Sequence, residues 1–473
     1  MFINLNQNKN LKLFKIISSV ASENGQTVYA VGGYVRDLLM GRATPTDIDF
    51  VTEQSGIALA KSIAEQVAPE QKVSVFKTYG TAMFRYEDLE LEFVGARKES
   101  YSEDSRNPAV EQGSLEDDQK RRDFTINAMA ISLNQENFGE LIDPFNGRQD
   151  LADKILRTPL EPRQTYSDDP LRMMRAIRFA CVLDFQIEAH SLQAIKEEAE
   201  RITIVSMERI MTEFNKIMLS AKPSKGLKIL EETGLLDHIL PELTALKGID
   251  EVDGHTHKDN FFHTLEVVDN IAQNTDKLWL RWAALLHDIG KAPTKKFEKG
   301  TGWTFHGHEY LGSKMLKPLF KRLKLPLGND LKYVQKLVKM HARPIALVTD
   351  NASDSALRRL VFDSGEDLED LFTLCKADIT TKNHAKQTKF KKNYEYVAQK
   401  IKEVEERDRV RNFQPPISGE EIMQLFGIKP GKEIGILKEK VKEAILEGEI
   451  ENNPEQAKNF VLREGSKMGL IAV

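Results

Sequence analysis

Two aspartates separated by one residue form the clearest chemical pattern in the sequence. Asp47 and Asp49 flank Ile48 in a run, DIDFVT, whose alternating apolar residues predict a β-strand. On a strand the two carboxylates point to one face, where they suit Mg²⁺, a cation that prefers oxygen ligands. Magnesium held there can activate an attacking hydroxyl group and neutralise a departing pyrophosphate. Taken alone, the pair is also compatible with a surface Asp-x-Asp on an edge strand.

A glycine pair lies shortly upstream of the aspartates. Gly32 and Gly33 follow a predicted strand over 27–32 and precede a helical pattern that contains Arg36. Glycine lets the backbone approach a phosphate group, the first N–H groups of a helix can donate to it, and Arg36 adds positive charge. Such a junction alone is commonly a tight turn, but its position beside the aspartates favours a phosphate site.

A second pattern suited to nucleotides lies further along the chain. Asp169 and Arg172 are three residues apart in a helical segment, which predicts neighbouring side chains. Because Asp only accepts hydrogen bonds and Arg only donates them, the pair complements the amine and ring nitrogen of cytosine or adenine. Uracil and guanine carry a carbonyl where the amine stands. Arg175, three residues on, is placed to reach a triphosphate; the alternative for the set is a surface ion pair.

Histidines and aspartates recur in the second half of the chain. They are His263, His287, Asp288, His308, His341 and Asp378. Imidazole and carboxylate groups in this mixture suit divalent transition metals. A hydroxide bridging two such metals can hydrolyse phosphomonoesters or cyclic phosphodiesters. The alternative for any one histidine is a satisfied core residue.

Composition limits the classes of protein to consider. The length of 473 residues predicts roughly two to four domains, and 41% hydrophobic with 29% charged residues is typical of a globular protein. No run of about 18 apolar residues predicts a membrane span. The two cysteines lie in apolar, helix-like segments, which predicts buried thiols and a cytoplasmic location. The net charge of −5 argues against polyanion binding over the whole surface, so an RNA partner requires local basic patches such as 120–122.

The distribution of strand and helix patterns predicts a mixed head followed by a helical body. Short strands are predicted at 27–32, 47–52, 73–76, 81–86 and 89–94. The segment 96–120 is polar and charged, which predicts a long loop of functional importance or disorder. Strand patterns fade after Leu151, and from Asp169 onwards nearly every apolar segment has a helical period.

Five segments in order carry a resemblance to a known family. The segment VGGYVRDLLMGRATPTDIDFV, containing both aspartates, resembles the signature of the class II tRNA nucleotidyltransferases and bacterial poly(A) polymerases. The later segments 121–130, 143–151, 169–176 and 208–213 are similar to the remaining motifs of that family. The order of histidines and aspartates in the second half resembles the HD phosphohydrolase superfamily, an all-α fold that some tRNA nucleotidyltransferases carry.

These resemblances imply an α+β protein in four parts. They are a mixed-sheet nucleotidyltransferase head at 1–150, an all-α neck at 151–240, an HD domain at 241–395, and a helical RNA-binding tail at 396–473. In the head, Asp47 and Asp49 would be the catalytic, metal-binding pair. Arg122, Asp123 and Asn127, from the segment RRDFTINAMA, would bind the nucleotide, the first two near its ribose.

The HD resemblance implies roles for the second set of residues. His263, His287, Asp288 and Asp378 would bind a first metal. His308 and His341 match positions that hold a second metal or bind phosphate. An active phosphohydrolase and a scaffold without activity both stay open at this point.

The expected function is template-independent addition of C and A to the 3′ end of tRNA. Its implied substrates are CTP, ATP and tRNA, and its implied cofactors are Mg²⁺ in the head and a divalent transition metal in the HD domain. One alternative is a poly(A) polymerase or an A-adding enzyme of the same family. A second is an HD metallophosphohydrolase whose head binds RNA. No membrane partner is expected, and the sequence gives no indication of oligomeric state.

Overall fold

The computed structural model describes residues 1–42, 46–102, 105–252, 254–349, 353–381, 383–408, 411 and 413–473. These residues form two compact units. The N-terminal unit comprises Met1–Ser220 and Lys225–Ile239, and the C-terminal unit comprises Ala221–Ser224 and Leu240–Val473. Within the described ranges, no helix has both the length and the apolar character that crossing a bilayer requires.

The N-terminal unit is built on a mixed sheet. Its strands are β1 (Tyr29–Val31), β2 (Asp47–Thr52), β3 (Ser74–Phe76), β4 (Thr81–Tyr86), β5 (Leu89–Gly95), β6 (Arg97–Ser102), β7 (Ser105–Gln112), β8 (Ala130–Ser132), β9 (Leu141–Ile142), β10 (Ile155–Leu156) and β11 (Gln186–Ile187). The main sheet has the order β3-β4-β5-β2-β1-β8-β9. Strands β2 and β5 run parallel, and the other neighbours are antiparallel. The predicted mixed-sheet head and the α+β class are therefore confirmed.

Helices cover one face of this sheet and form the rest of the unit. They are α1 (Leu11–Glu23), α2 (Gly33–Leu39), α3 (Gly56–Val67), α4 (Leu115–Lys120), α5 (Gly147–Asp153), α6 (Pro162–Asp168), α7 (Leu171–Val182), α8 (Ala189–Glu198), α9 (Met207–Met218), α10 (Pro223–Glu232) and α11 (Leu235–Ile239). Alternation along β2 buries Ile48 and Phe50 against this layer, where Phe50 stacks on Phe93 at 4.8 Å. The same alternation turns Asp47 and Asp49 to the opposite face.

The C-terminal unit is mainly helical. Its helices are α12 (Pro241–Thr244), α13 (Asn260–Ala272), α14 (Leu278–Leu286), α15 (Lys291–Thr294), α16 (His308–Arg322), α17 (Asn329–Met340), α18 (Arg343–Thr349), α19 (Asp354–Ser364), α20 (Leu368–Asp378), α21 (His384–Asp408), α22 (Gly419–Phe426), α23 (Lys432–Glu447) and α24 (Pro454–Lys467). Two short antiparallel pairs accompany them: β12 (Glu251–Val252) with β13 (His255–Thr256), and β14 (Lys296–Glu298) with β15 (Gly302–Thr304).

Two expectations about secondary structure were wrong. The segment 96–120, predicted as a loop, forms the hairpin β6–β7 and helix α4. Main-chain hydrogen bonds pair the two strands of the hairpin, and such pairing does not require an alternating apolar pattern in the sequence. A capping box between Ser114 and Asp117 starts α4. The parts expected to be all-α also contain the pairs β10–β11, β12–β13 and β14–β15, which are too short to leave a periodic signal.

Gly290 marks a place where two chain segments touch. A Cβ atom at this position would lie 2.1 Å from the carbonyl oxygen of His308 and 2.8 Å from the amide nitrogen of Gly312. Both are backbone atoms, which cannot move aside like the end of a side chain. The close approach fixes the start of α16, which carries His308, against the segment that follows α14.

We expect Gly290→Ala to lower the free energy of unfolding by roughly 2 kcal/mol or more, because the added methyl group overpacks this contact. Gly435→Ala is the matched control. Gly435 lies within α23 with open space around it, so alanine there should stabilise by up to about 1 kcal/mol. Urea denaturation of both variants measures the effects, and equal midpoints would contradict the expectation.

Candidate active site and metal centre

The catalytic face of the head sheet is set by the register of two parallel strands. Asp49 on β2 lies opposite Glu92 on β5, and Asp47 lies opposite Glu90. Residues two apart on a strand share a face, so the four carboxylates lie on the side of the sheet away from the apolar core. The aspartate pair was predicted from the sequence, with Glu90 or Glu92 as a candidate for a further carboxylate, and the structure places Glu92 beside Asp49.

Burial and like charge disfavour ionisation at this face. Burial raises the pKa of Asp49; Arg122 opposes the rise, whereas Asp47 and Asp118 add to it. Burial likewise raises the pKa of Glu92, and the neighbouring Asp49 raises it further. A divalent cation would relieve this repulsion, so the oxygen donors present fit a divalent metal.

Gly32 brings the backbone close to the carboxylates. Its φ of +73° is costly for any residue with a side chain. A Cβ atom there would lie 3.1 Å from Nη1 of Arg122 and 3.4 Å from Oδ2 of Asp49. Gly33 begins α2, directly after it. Gly32 therefore leaves space beside Asp49, and phosphate binding at the glycine pair stays a prediction.

Arg36 is buried and engaged with protein groups. Its guanidinium donates to Oδ1 of Asn127 at 2.8 Å and pairs with Asp37 at 2.9 Å. Asn127 in turn donates to Oδ1 of Asp123 at 3.0 Å. Arg36 and Asn127 therefore help to position Asp123 through this chain of hydrogen bonds. Direct contact of either residue with substrate stays a prediction.

Asp123 is held by a dense set of donors. Arg175 donates to its Oδ2 from Nε at 2.8 Å and from Nη2 at 2.5 Å. Burial alone would raise the pKa of Asp123, but Arg175 and the hydrogen bond from Asn127 bring it below its usual range. Asp123 is therefore an anion, and Arg175 is joined to it rather than pointing freely at a triphosphate.

The predicted base-reading pair lines the same cleft, with one difference in local structure. Asp169 lies in extended conformation between α6 and α7, not on a helix, and its Oδ1 accepts from the amide of Leu171 at 3.3 Å. Arg172, on α7, donates from Nη2 to the carbonyl oxygen of Arg121 at 2.6 Å. The backbone N–H of Arg172 donates to the carbonyl oxygen of Asp169 at 2.9 Å, but in the part of the chain that the structure describes no hydrogen bond or ion pair joins their side chains. Both side chains thus face the cleft without neutralising each other directly.

Two further charged residues complete the site. Asp118 is fully buried and pairs with Arg121 and with Arg122, whose Nη2 lies 2.9 Å away. Arg209, on α9, places Nη2 3.8 Å from Oδ2 of Asp169. The sequence analysis gave neither residue a role. The spacing of Asp118, three and four residues before the arginines on a helical segment, is a signal that could have found it.

These residues meet in one cleft of about 490 Å³. Its lining comprises Asp49, Val51, Phe76, Thr81, Glu92, Val94, Arg97, Arg121, Arg122, Asp123, Asp169, Leu171, Arg172, Arg175 and Arg209. Six arginines against four carboxylates give the cleft a positive balance, which favours a polyanionic ligand such as a nucleoside triphosphate.

The C-terminal unit brings its predicted histidines and aspartates together. Two groups have ligand atoms within 4.8 Å of one another: His263, His287 and Asp378, and Asp288, His308 and His341. Asp288 also connects them, because its Oδ2 lies 3.2 Å from Nε2 of His287 and its Oδ1 lies 3.4 Å from Nε2 of His308. All six residues therefore form one candidate centre for divalent metal.

Backbone carbonyls orient three of the imidazole rings. Nδ1 of His287, His308 and His341 lies 2.7–2.9 Å from the carbonyl oxygen three residues earlier. A carbonyl can only accept, so Nδ1 carries a hydrogen, and in the neutral ring Nε2 keeps its lone pair towards the centre. Nε2 of His287 is buried 3.2 Å from Oδ2 of Asp288 and 3.6 Å from Oδ1 of Asp378, a position among carboxylates that suits a metal ligand.

The charges at this centre are strongly coupled. Burial alone would lower the pKa of His287, but Asp288 and Asp378 raise it to about 10. Burial and the charge of His287 lower the pKa of His341 to about 4. Burial opposes ionisation of Asp378, yet the hydrogen bonds from His263 and His287 lower its pKa. A proton on His287 thus compensates the carboxylates, a role that a bound cation would take over.

His263 has two partners at its outer nitrogen. Nδ1 lies 2.9 Å from Nζ of Lys258 and 3.0 Å from Oγ1 of Thr380. A lysine ammonium only donates, so its contact requires Nδ1 to accept and puts the hydrogen on Nε2, towards Asp378. The threonine hydroxyl can instead accept from Nδ1–H, which leaves Nε2 available as a ligand. Metal binding through His263 therefore favours Thr380 over Lys258.

Comparison with known proteins identifies the family to which this architecture belongs. Residues 28–157 match the Poly A polymerase head domain, 184–247 match the "Probable RNA and SrmB- binding site of polymerase A", and 260–363 match the HD domain. The A-adding tRNA nucleotidyltransferase of Deinococcus radiodurans is 34% identical over 359 residues, covering 74% of this chain and 79% of that protein. The chain belongs to the class II tRNA nucleotidyltransferase and poly(A) polymerase family.

Other relatives of this nucleotidyltransferase cover nearly the whole chain. The CCA-adding enzyme of Bacillus velezensis is 29% identical over 443 residues, or 92% of this chain and 94% of that enzyme. The solved structure of the Bacillus stearothermophilus CCA-adding enzyme with CTP has a TM-score of 0.67 at 22% identity, covering 98% of this chain and 99% of the other. That structural likeness concerns the fold.

Glu92→Gln tests the like-charge repulsion on the sheet face. In the metal-free protein at pH 7 we expect the variant to be more stable by about 0.5 kcal/mol, because it removes a charge opposite Asp49. A carboxylate whose folded pKa is raised destabilises the protein above that pKa. The gain should therefore disappear as the pH falls through the raised pKa values of Asp49 and Glu92.

Urea denaturation between pH 4 and pH 8, with metal removed by chelation, measures this dependence. Glu65→Gln is the matched control, since Glu65 is an exposed residue of α3 in the same unit and lies outside the cleft lining. A gain that does not change with pH, or one of equal size in the control, would contradict the expectation.

Proposed function

We propose that this enzyme rebuilds the CCA end of tRNA by adding C and A without a nucleic-acid template. The proposal rests on the observation that Asp49, one of the four carboxylates on the sheet face, lines the same cleft as Asp169 and Arg172. A nucleotidyltransferase without a template needs both a catalytic centre and protein groups that select the base. The name of the Deinococcus radiodurans relative, an A-adding tRNA nucleotidyltransferase, supports tRNA as the acceptor, and that of the Bacillus velezensis relative, a CCA-adding enzyme, supports CCA as the product.

The reaction joins the 3′ oxygen of the RNA to the α-phosphorus of the incoming nucleotide. The bond from that phosphorus to the bridging oxygen breaks, and pyrophosphate leaves. Asp47 and Asp49 would hold Mg²⁺, which when bound activates the hydroxyl group and neutralises the pyrophosphate. Arg122, held in place by Asp118, supplies a fixed positive charge beside Asp49.

Base selection follows from donor and acceptor chemistry. The carboxylate of Asp169 accepts from the amine of cytosine or adenine, and the guanidinium of Arg172 donates to the adjacent ring nitrogen. Arg209 sits near Oδ2 of Asp169 and the amide of Leu171 bonds Oδ1, which limits rotation of the carboxylate. Uracil and guanine would place a carbonyl oxygen against that carboxylate.

Product length on a labelled tRNA that lacks CCA tests the proposal. With Mg²⁺ and CTP alone we expect extension by two residues, and with ATP added one further residue and a stop. Addition of A only to tRNA already ending in CC would favour an A-adding enzyme, and long A tails would favour a poly(A) polymerase. No extension at all would favour a metallophosphohydrolase with an RNA-binding head.

Arg172→Ala should reduce the preference for CTP over UTP at least tenfold, because the cleft would lose its donor to the ring nitrogen. Steady-state kcat/KM for the two nucleotides measures this ratio. Arg163→Ala is the matched control, since Arg163 is an exposed residue of α6 that pairs with Glu198 outside the cleft. An unchanged ratio in Arg172→Ala would remove Arg172 from base selection.

We also propose that the HD domain is a metal-dependent phosphohydrolase acting on phosphomonoesters or cyclic phosphodiesters at RNA ends. The six-residue centre supports this second function. Those side chains would hold divalent transition metal, which when bound supplies a hydroxide nucleophile. The adjoining cleft of about 830 Å³ is lined by Lys258 and Lys291, whose charges suit a phosphate group. Cys181 and Cys375 form no disulfide among the described residues, which supports the predicted reducing, cytoplasmic location.

Thr380→Val should weaken Mn²⁺ binding to the full chain about tenfold, because His263 would lose the acceptor that orients it as a ligand. Lys258→Met should have the opposite effect, since it removes the donor that competes for Nδ1. Thr373→Val is the matched control, a threonine of α20 that bonds the carbonyl oxygen of Glu369. Calorimetric titration distinguishes the three, and identical affinities would contradict this account of His263.

A further inference from the structure

A second row of side chains crosses the catalytic face beside the carboxylates. Val51 on β2 pairs in register with Val94 on β5, Val94 with Thr81 on β4, and Thr81 with Phe76 on β3. Val51 and Val94 each stand two residues after a cleft carboxylate, Asp49 and Glu92, so the row lies on the same face. All four side chains line the cleft.

This row differs in chemistry from the charged groups of the cleft. The carboxylates and the arginines make most of the lining charged, whereas this row contributes two valines, a threonine and a phenyl ring. Phe76 ends β3 on the edge of the sheet and is 45% exposed. Neighbouring strands lie about 4.8 Å apart, so the row forms an apolar floor on the order of 14 Å long.

The proposed reaction requires two nucleosides at the carboxylates. Asp169 and Arg172 offer hydrogen bonds that suit the base of the incoming nucleotide. The acceptor must bring its terminal ribose to the carboxylates without occupying that pair. The row is a part of the cleft next to Asp49 that carries no charged group.

We propose that Phe76, Thr81 and Val94 form the subsite for the 3′-terminal nucleoside of the acceptor RNA, whose base stacks on Phe76. Single-stranded RNA ends are commonly held by stacking on aromatic side chains. Arg97, which follows β5 in the chain, lines the same cleft and adds positive charge for the RNA backbone.

Stacking explains how one subsite serves successive additions. The acceptor ends in a different nucleotide after each transfer, and a subsite that formed specific hydrogen bonds would suit only one of them. Stacking tolerates every base because each has a π face. The incoming nucleotide is thus selected by polar groups, and the acceptor end is held by an unselective surface. This inference rests on the proposed transferase function.

Phe76→Ala tests the subsite. We expect the KM for tRNA to rise roughly tenfold, the loss typical of one stacked base, whereas the KM for CTP and the CTP-to-UTP ratio stay within about twofold. Phe76→Trp should restore the tRNA KM. Phe2→Ala is the matched control, because Phe2 is 63% exposed in the same unit and lies outside the cleft. A rise in the KM for CTP instead would assign the row to the nucleotide and overturn the inference.

A binding measurement separates this inference from the function on which it rests. A tRNA with 2-aminopurine as its 3′-terminal base should lose fluorescence on binding the wild-type protein and keep it with Phe76→Ala. Normal extension with quenching that does not depend on Phe76 would overturn the subsite and leave the transferase standing. Quenching that depends on Phe76, without any extension of the tRNA, would support binding of the RNA end at Phe76 and overturn the transferase function.

Discussion

The site in the head depends on one costly arrangement, the parallel pairing of β2 with β5. That register sets Asp49 against Glu92 and Asp47 against Glu90 on the cleft face, while Phe50 and Phe93 stack on the other. Packing on the apolar face stabilises the pairing of β2 with β5, whereas the carboxylates on the opposite face repel one another. A slip of one residue would exchange the two faces, so the packing that stabilises the sheet also fixes the carboxylates in place.

Buried ion pairs hold the positive side of the cleft. Asp118 has no exposed surface and compensates Arg121 and Arg122 together. The carbonyl oxygen of Arg121 accepts from Arg172, so one buried anion helps to position both the charge beside Asp49 and the proposed base-reading donor. Asp123 and Arg175 form a second such pair at the cleft. Removing a single partner of these pairs would leave a buried charge uncompensated, which is costly.

Sequence patterns predicted the elements with strong periodicity and the residues with distinctive spacing. Strand β2 was predicted with its observed bounds, and the six residues of the HD centre meet as expected. The hairpin β6–β7 was missed because its pairing depends on main-chain hydrogen bonds that leave no alternating signal. Asp169 was expected on a helix, but Pro170 follows it, and residues before proline favour extended conformation. The engagement of Arg36 by Asp37 and Asn127 depends on tertiary contacts that spacing does not encode.

The carboxylate of Asp288 is shared between the two groups of candidate metal ligands in the HD centre. Its two oxygens face different ligand groups, Oδ2 towards His287 and Oδ1 towards His308. The negative charge that one cation uses is therefore no longer fully available to a second. Two ions bound at the proposed centre would be thermodynamically linked, and by reciprocity each would change the affinity for the other by the same factor. The occupancy of such a centre would respond to the cell's metal supply differently from that of two separate sites.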